Sequence, residues 1–251
     1  MNINKGIGYY IFIVLLALIL AIILKNLLFW FILFLFAIPI KMDKVYDKPS
    51  RFYSNLFNYA YYYLISHARI KIHSSGTELI PKNQKFLFIS NHRSKFDNMI
   101  HSYVMKEFPI AFISKKENFK IPIGRHFMVR CCYLSLDRGN IKQGIQTISR
   151  AISLIKSDAT NIGVFPEGTR SKDCNLLEFK PGTFKIAKKA NCPIVVGVTQ
   201  GTESIHKNWP FRRTDVNFDI VKVIYPEEFE NKSTIEIAEY CQNIVSDKLK
   251  K

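Results

Sequence analysis

Between Gly6 and Ile40 the chain carries no acidic residue and a single charge, Lys25. A segment this apolar belongs in lipid or against other apolar surface. Its first run, Gly6 to Leu24, has 19 residues, just enough to cross a hydrocarbon core of about 30 Å. Lys25-Asn26 interrupt it, and a second apolar run continues from Leu27 to Ile40 with Pro39 near its end. One unbroken helix over the whole stretch would be about 52 Å long at roughly 1.5 Å per residue, too long to sit upright in a bilayer. The expectation is therefore two helices or one bent helix, broken near Lys25-Asn26 and partly or wholly embedded. Spanning and re-entrant arrangements both satisfy the pattern. No Ala-x-Ala site follows the first run, so a cleaved signal peptide is not expected. Lys41, Lys44, Lys48 and Arg51 come next, and the bias of basic residues towards the cytoplasm places the rest of the chain on the cytoplasmic side of the cell membrane.

Residues 52–65 are dense in Phe and Tyr. Such a segment suits either a membrane–water interface or a core helix. Past Arg69 the pattern changes to short apolar runs alternating with helical periods. Strands are predicted at Phe86–Ile89, Ala111–Ile113, Tyr133–Leu136, Ile162–Phe165, Ile194–Val198 and Val216–Ile224. Ile141, Ile145, Ile148, Ile152 and Ile155 fall on one helix face. A last helix opens with the capping-box pattern Ser233-Thr234-Ile235-Glu236 and buries Ile237, Cys241, Ile244 and Val245. Strands separated by helices imply an α/β layered domain with a mostly parallel central sheet. Residues 1–66 are expected to form an N-terminal membrane-embedded helix module and residues 67–251 the α/β domain.

The formal net charge is +16, which calls for an anionic partner: nucleic acid, anionic lipid or a phosphorylated substrate. The apolar segment selects the membrane surface over nucleic acid. The five cysteines show neither a Cys-x-x-Cys pair nor zinc-finger spacing with His, and they are read as reduced thiols, several in the core. His67, His73, His101, His126 and His206 form no ligand pattern, so no metal is expected.

Two short motifs carry chemistry. His92 follows the predicted strand Phe86–Ile89, and Asp97 lies five residues on. Residues i and i+5 of one helix point about 140° apart. The two side chains meet only if His92 stays in a loop and Asp97 starts a helix. Asp97 would then fix the His92 tautomer and leave the second ring nitrogen as a general base. On spacing alone His92 could equally be a structural loop residue. Ser94 is too near in sequence to be assigned as a nucleophile, and a substrate hydroxyl would make one unnecessary. The second motif, Phe165-Pro166-Glu167-Gly168-Thr169-Arg170, ends another predicted strand. Gly168 suits a turn, and the planar fork of Arg170 suits a phosphate.

Together these motifs resemble those of the glycerolipid acyltransferases, most closely the bacterial 1-acylglycerol-3-phosphate acyltransferases, over roughly residues 85–200. The resemblance implies that His92 and Asp97 are catalytic and that Glu167, Gly168, Thr169 and Arg170 bind substrate. It adds Lys115 (or Lys116) and Arg138, from Leu136-Asp137-Arg138, as phosphate contacts. Pro193, opening Pro193-Ile194-Val195-Val196-Gly197-Val198, is implied to shape the acyl site. Two places depart from the family pattern: Cys132 stands where Gly is usual and Ser135 where an aromatic is usual, and Val196 replaces a second Pro. The implied reaction moves an acyl group from an acyl-CoA or acyl carrier protein thioester to the free hydroxyl of a membrane lipid acceptor, 1-acylglycerol-3-phosphate, giving phosphatidic acid in phospholipid biosynthesis, with no cofactor. Backbone N–H groups near Gly168 would receive the oxyanion. Glycerol-3-phosphate, another lysophospholipid or a lyso-aminolipid are alternative acceptors. A non-catalytic lipid- or acyl-carrier-binding protein is the alternative of another class.

Overall fold

Phe86 to Ile89 are completely buried, as a strand covered on both faces must be. The computed structural model describes residues 3–171 and 173–250. Its seven strands are β1 (Ile70–Ser75), β2 (Leu87–Ser90), β3 (Ile110–Lys115), β4 (Leu134–Leu136), β5 (Asn161–Val164), β6 (Ile194–Gln200) and β7 (Thr214–Ile224). They form one sheet in the order β1-β7-β6-β2-β5-β3-β4. The run from β6 to β4 is parallel throughout. β7 is antiparallel to β6, and β1 is parallel to β7. All six expected strands are present. β1 was not expected: it is a half-exposed edge strand with only Ile70 and Ile72 as apolar residues, too few to mark a period.

The helices are α1 (Ile3–Ala37), α2 (Arg51–His67), α3 (Asp97–Val104), α4 (Gly124–Arg130), α5 (Ile141–Lys156), α6 (Lys185–Ala190), α7 (Ile205–Asn208) and α8 (Thr234–Leu249). The capping box of α8 forms as expected. Ser233 N–H donates to Glu236 Oε2 at 2.7 Å, and Glu236 N–H donates to Ser233 Oγ at 3.2 Å. The α5 stripe is only partly buried. Ile155 is in the core and Ile148 and Ile152 pack against it, but Ile141 and Ile145 are 83% and 63% exposed. The first turns of the helix overhang the sheet edge at the three-residue strand β4.

The expected break near Lys25-Asn26 is absent, because α1 is one continuous helix. Asn26 keeps helical geometry. Its amide donates back to Ile22 O at 2.7 Å, and its carbonyl accepts from the Tyr63 hydroxyl of α2. Pro39, which cannot donate, stands just past the helix end. Within Ile7–Ala37 an 18-residue stretch reaches a mean hydropathy of 3.0, and among the described residues this is the one helix long and apolar enough to cross a membrane. Only its second half touches the body. Leu33 and Ala37 pack with Ala60 of α2 and Phe127 of α4, and Phe29 stacks on Tyr63 at 3.6 Å. The aromatic segment 52–65 is divided between core and surface: Tyr61 and Ile65 are buried, while Phe52, Tyr59 and Tyr62 are exposed.

Two backbone positions are sterically special. Cys132 has φ of 60°, in the left-handed region that costs a non-glycine residue about 1–2 kcal/mol. It is the position where glycine was expected. Its Sγ donates to Tyr46 O at 3.3 Å, in the segment joining α1 to α2. Gly197, at a bulge between β6 and β7, lies under two rings. A Cβ there would sit 2.7 Å from Phe88 Cε2 and 3.0 Å from Phe218 Cε2. Gly197→Ala is therefore expected to lower stability by about 1–3 kcal/mol through overpacking. Gly182→Ala, which meets nothing within 4 Å, is the control. Denaturant melts of the detergent-solubilised protein measure both.

Candidate active site

The carboxyl ends of parallel strands are where an open α/β sheet collects its ligands, and here they carry the motifs. His92 follows β2. Asp97 opens α3 and is completely buried. The loop-then-helix arrangement expected from the spacing is realised. His92 Nδ1 lies 2.8 Å from Asp97 Oδ2. The same oxygen accepts from Arg93 N–H at 2.7 Å and Ser94 N–H at 2.8 Å. Burial alone would raise the Asp97 pKa. The hydrogen bond and charge of His92 outweigh burial and hold it below the usual carboxylate range. An ionised carboxylate only accepts, so Nδ1 carries the donated proton and Nε2 is the ring atom able to take another. The His92 ring stacks on Phe165 at 4.0 Å and 13°. Ser94 is buried and its Oγ accepts from Phe96 N–H, a turn contact that does not present a nucleophile.

Glu167 is not in the position expected of a substrate contact. It is 3% exposed and sits beneath the loop. Oε1 accepts the backbone N–H of His92 at 2.6 Å and Oε2 that of Leu177 at 3.0 Å. Ser171 N–H donates to His92 O at 2.9 Å. The motif after β5 thus grips both backbone polar groups of His92. Gly168 has φ of 72°, which explains the glycine. Its N–H donates to Phe165 O at 3.0 Å, so it is not free to receive an oxyanion. The N–H groups of Thr169 and Arg170 have no acceptor among the described residues.

The expected phosphate contacts stand in a row. Arg170 follows β5, Lys115 ends β3 and Arg138 follows β4, and all three are exposed. With strands about 4.8 Å apart, β2 to β4 spans about 14 Å. None of the three has a carboxylate partner among the described residues, whereas Lys116 pairs with Asp137 at 2.7 Å. That leaves Lys115 as the available lysine. Pro193 is not brought to the site. It precedes β6, where its carbonyl accepts Leu87 N–H at 2.9 Å. By the β2–β6 register it lies six residues below the level of His92, roughly 20 Å along the strand direction.

Several contributors carry no evident sequence signal. Asn91 exchanges two hydrogen bonds with the backbone of Thr199, at 2.9 and 2.8 Å. His101, one turn beyond Asp97, meets Thr199 Oγ1 at 2.6 Å. Burial pushes its pKa down to about 3, so it stays neutral. Arg93 binds Glu203 at 3.3 Å and Cys174 O at 3.2 Å. Asn91 and Arg93, on either side of His92, lie where a motif-based search would look; His101 does not.

A half-buried, carboxylate-oriented histidine and three exposed cations without a carboxylate partner among the described residues thus share the carboxyl edge of the parallel strands. The chain belongs to the Acyltransferase family, whose model matches residues 71–198. It is 30% identical over 177 residues to a 1-acyl-sn-glycerol-3-phosphate acyltransferase of Limnanthes douglasii, covering 70% of this chain and 61% of that one. It is 29% identical over 167 residues to the enzyme of the same name from Escherichia coli, covering 65% and 66%. The crystal structure of the 1-acyl-sn-glycerophosphate (LPA) acyltransferase PlsC from Thermotoga maritima superposes with a TM-score of 0.62 at 25% identity, covering 78% of this chain and 80% of that one. The chain spans about three-fifths of the length of the first curated relatives it matches.

The Glu167 environment predicts a pH signature. Burial raises its carboxyl to about 7, against the lowering effect of the two N–H donors. The folded protein therefore holds this proton more tightly than the unfolded chain. This group's contribution to stability is greatest below the ordinary Glu pKa of 4.5 and declines as pH rises to about 7. Glu167→Gln should abolish that decline. Thermal melts between pH 4.5 and 7.5 of both proteins check it, and parallel curves would contradict it.

Proposed function

We propose that this protein acylates the free hydroxyl of 1-acylglycerol-3-phosphate from an acyl-CoA or acyl carrier protein thioester, giving phosphatidic acid for phospholipid synthesis. The observation that carries the proposal is the His92–Asp97 pair, with Nε2 of His92 open and Arg170, Lys115 and Arg138 alongside. The relatives' names supply the acceptor and the acyl transfer, and the cationic row fits a phosphate-bearing acceptor.

In this mechanism the acceptor phosphate is held by Arg170, Lys115 and Arg138, which sets its hydroxyl near His92. Nε2 takes the hydroxyl proton as the oxygen attacks the thioester carbonyl. Asp97 stabilises the resulting imidazolium. N–H groups after Gly168, those of Thr169 and Arg170, face the developing oxyanion. As the tetrahedral adduct collapses, the new C–O bond remains, the C–S bond breaks, and His92 returns its proton to the thiolate. Glu167 acts on the reaction only through the position of His92. The α1–α2 region, residues 1–66, holds residues 67–251 against the cytoplasmic face of the cell membrane, where the basic residues Lys41, Lys44, Lys48 and Arg51 meet anionic lipid.

The decisive experiment is acyl transfer by the purified full chain, with coenzyme A and acyl carrier protein thioesters compared as donors and several lysolipids as acceptors. His92→Ala should lower kcat by about 10²–10⁴-fold without unfolding the protein. Full activity in that variant would end the mechanism.

Arg170→Ala should raise KM for the phosphorylated acceptor and leave donor KM unchanged, with Arg170→Lys only partly restoring it. Steady-state kinetics with each substrate varied in turn separate these. A rise in donor KM instead would reverse the assignment of the site.

A further inference from the structure

Outside the catalytic motifs, the largest exposed apolar groups on the α/β body include Trp209 and Phe211, 55% and 86% exposed. They lie in the connection between β6 and β7, whose stretch His206 to Arg213 reads His-Lys-Asn-Trp-Pro-Phe-Arg-Arg. Lys207, Arg212 and Arg213 are exposed there, as is Arg69 beside them, and no acid occurs between Ser204 and Thr214. Arg213 pairs with Asp215 just past the stretch at 3.3 Å, while Lys207, Arg212 and Arg69 have no carboxylate partner among the described residues. Aromatic rings flanked by Arg and Lys are the composition of a membrane–water interface.

The backbone of this segment is built, not loose. Ile205 is completely buried against Tyr61, Ile65 and Ile100. Arg212 N–H donates to Asn208 O at 2.7 Å, and the Arg69 guanidinium donates to Phe211 O at 3.0 Å. The Trp209 indole N–H donates inward to His67 O at 3.1 Å. Its one polar atom is satisfied by the protein while its ring faces out.

Position decides what the rings face. His67 ends α2, its ring stacks on Tyr63 at 3.9 Å, and Tyr63 stacks on Phe29 of α1. Lys25 stands 6.0 Å from the same Tyr63 ring. A line of contacts, first the indole hydrogen bond to His67 and then the stacked rings, thus runs from Trp209 to the point where the first half of α1, apolar from Gly6 to Leu24, leaves the body. The same segment reaches the catalytic loop through Glu203, which pairs with Arg93 next to His92.

We infer that Trp209, Phe211 and the basic residues around them form a second membrane contact, a wedge that seats in an anionic bilayer beside α1 and sets the catalytic edge against the lipid surface. This rests on α1 lying in the bilayer. It does not require the acyl-transfer reaction. An acidic partner protein would be the other candidate occupant. The membrane is favoured by continuity with α1 and by exposed rings at the centre of the charged patch.

The test uses the full chain with Trp30→Phe, which leaves Trp209 as its single tryptophan, reconstituted in phosphatidylglycerol vesicles. Flotation reports α1 insertion and Trp209 fluorescence reports the wedge. Trp209 should shift to the blue, lose iodide quenching and be quenched by nitroxide-labelled lipid. Phe211→Asp should reverse these changes without preventing flotation. If the protein floats but Trp209 stays open to iodide, the wedge is wrong and the α1 reading stands. Lipid quenching unchanged by Phe211→Asp would make Trp209 merely a neighbour of α1 and would also overturn it. A response to acyl carrier protein but not to vesicles would assign the surface to that partner instead. Failure to float would remove both readings. None of these signals depends on turnover, so an inactive enzyme would leave the outcome readable.

Discussion

Three donors converge on one oxygen. Oδ2 of Asp97 accepts from the His92 ring and from the backbone of Arg93 and Ser94, and this ties loop, ring and helix start into one unit. The carboxylate is completely buried, so an unpaired charge there would cost several kcal/mol. Pairing it demands that the chain turn tightly between β2 and α3. From below, the Glu167 carboxylate and Ser171 N–H hold the two ends of the His92 peptide unit. A ring held by the Asp97 carboxylate and a stacked Phe165, on a backbone held by Glu167, loses little freedom when a substrate arrives, and this is the preorganisation that catalysis by proximity needs.

The sheet order distributes the labour. β2 and β5 are neighbours, and each supplies one half of the clamp on His92. β3 and β4, the next strands outward, supply Lys115 and Arg138. Because all four strands run the same way, their carboxyl ends lie along one edge. Residues far apart in sequence thereby reach a common edge of the sheet. The hydrophobic centre beneath them, where Phe88, Phe112 and Phe218 crowd around His101, leaves no room for a Cβ on Gly197.

Much of this was legible in the chain. The His92–Asp97 contact followed from helical geometry, and the parallel sheet followed from the spacing of buried runs. What was misread depended on tertiary partners. Glu167 beside Arg170 looks like a ligand group until its two backbone donors are known. Lys25-Asn26 looks like a break, yet Asn26 bonds within α1 and to Tyr63. Ile141 and Ile145 keep helical period where no neighbour covers them. β1 has too few apolar residues to announce itself, since a parallel edge strand takes its order from β7. The exposed Trp209 and Phe211 carry no periodic signal at all, because their setting is a surface and not a core.

The reversed direction of β7 and β1 gives the molecule two connections unlike its others on the sheet, one from Ser75 to Leu87 and one from Gln200 to Thr214. Crossovers between parallel strands must travel the full depth of the body, so their lengths are dictated by its thickness. The segment after Gln200 leaves and re-enters the sheet at the same edge. Lengthening it would add only the slowly growing entropy of closing a larger loop. Beyond the buried Ile205, its exposed tip from Trp209 to Arg213 can be resized with the sheet left intact, an adjustable rim on an otherwise fixed frame.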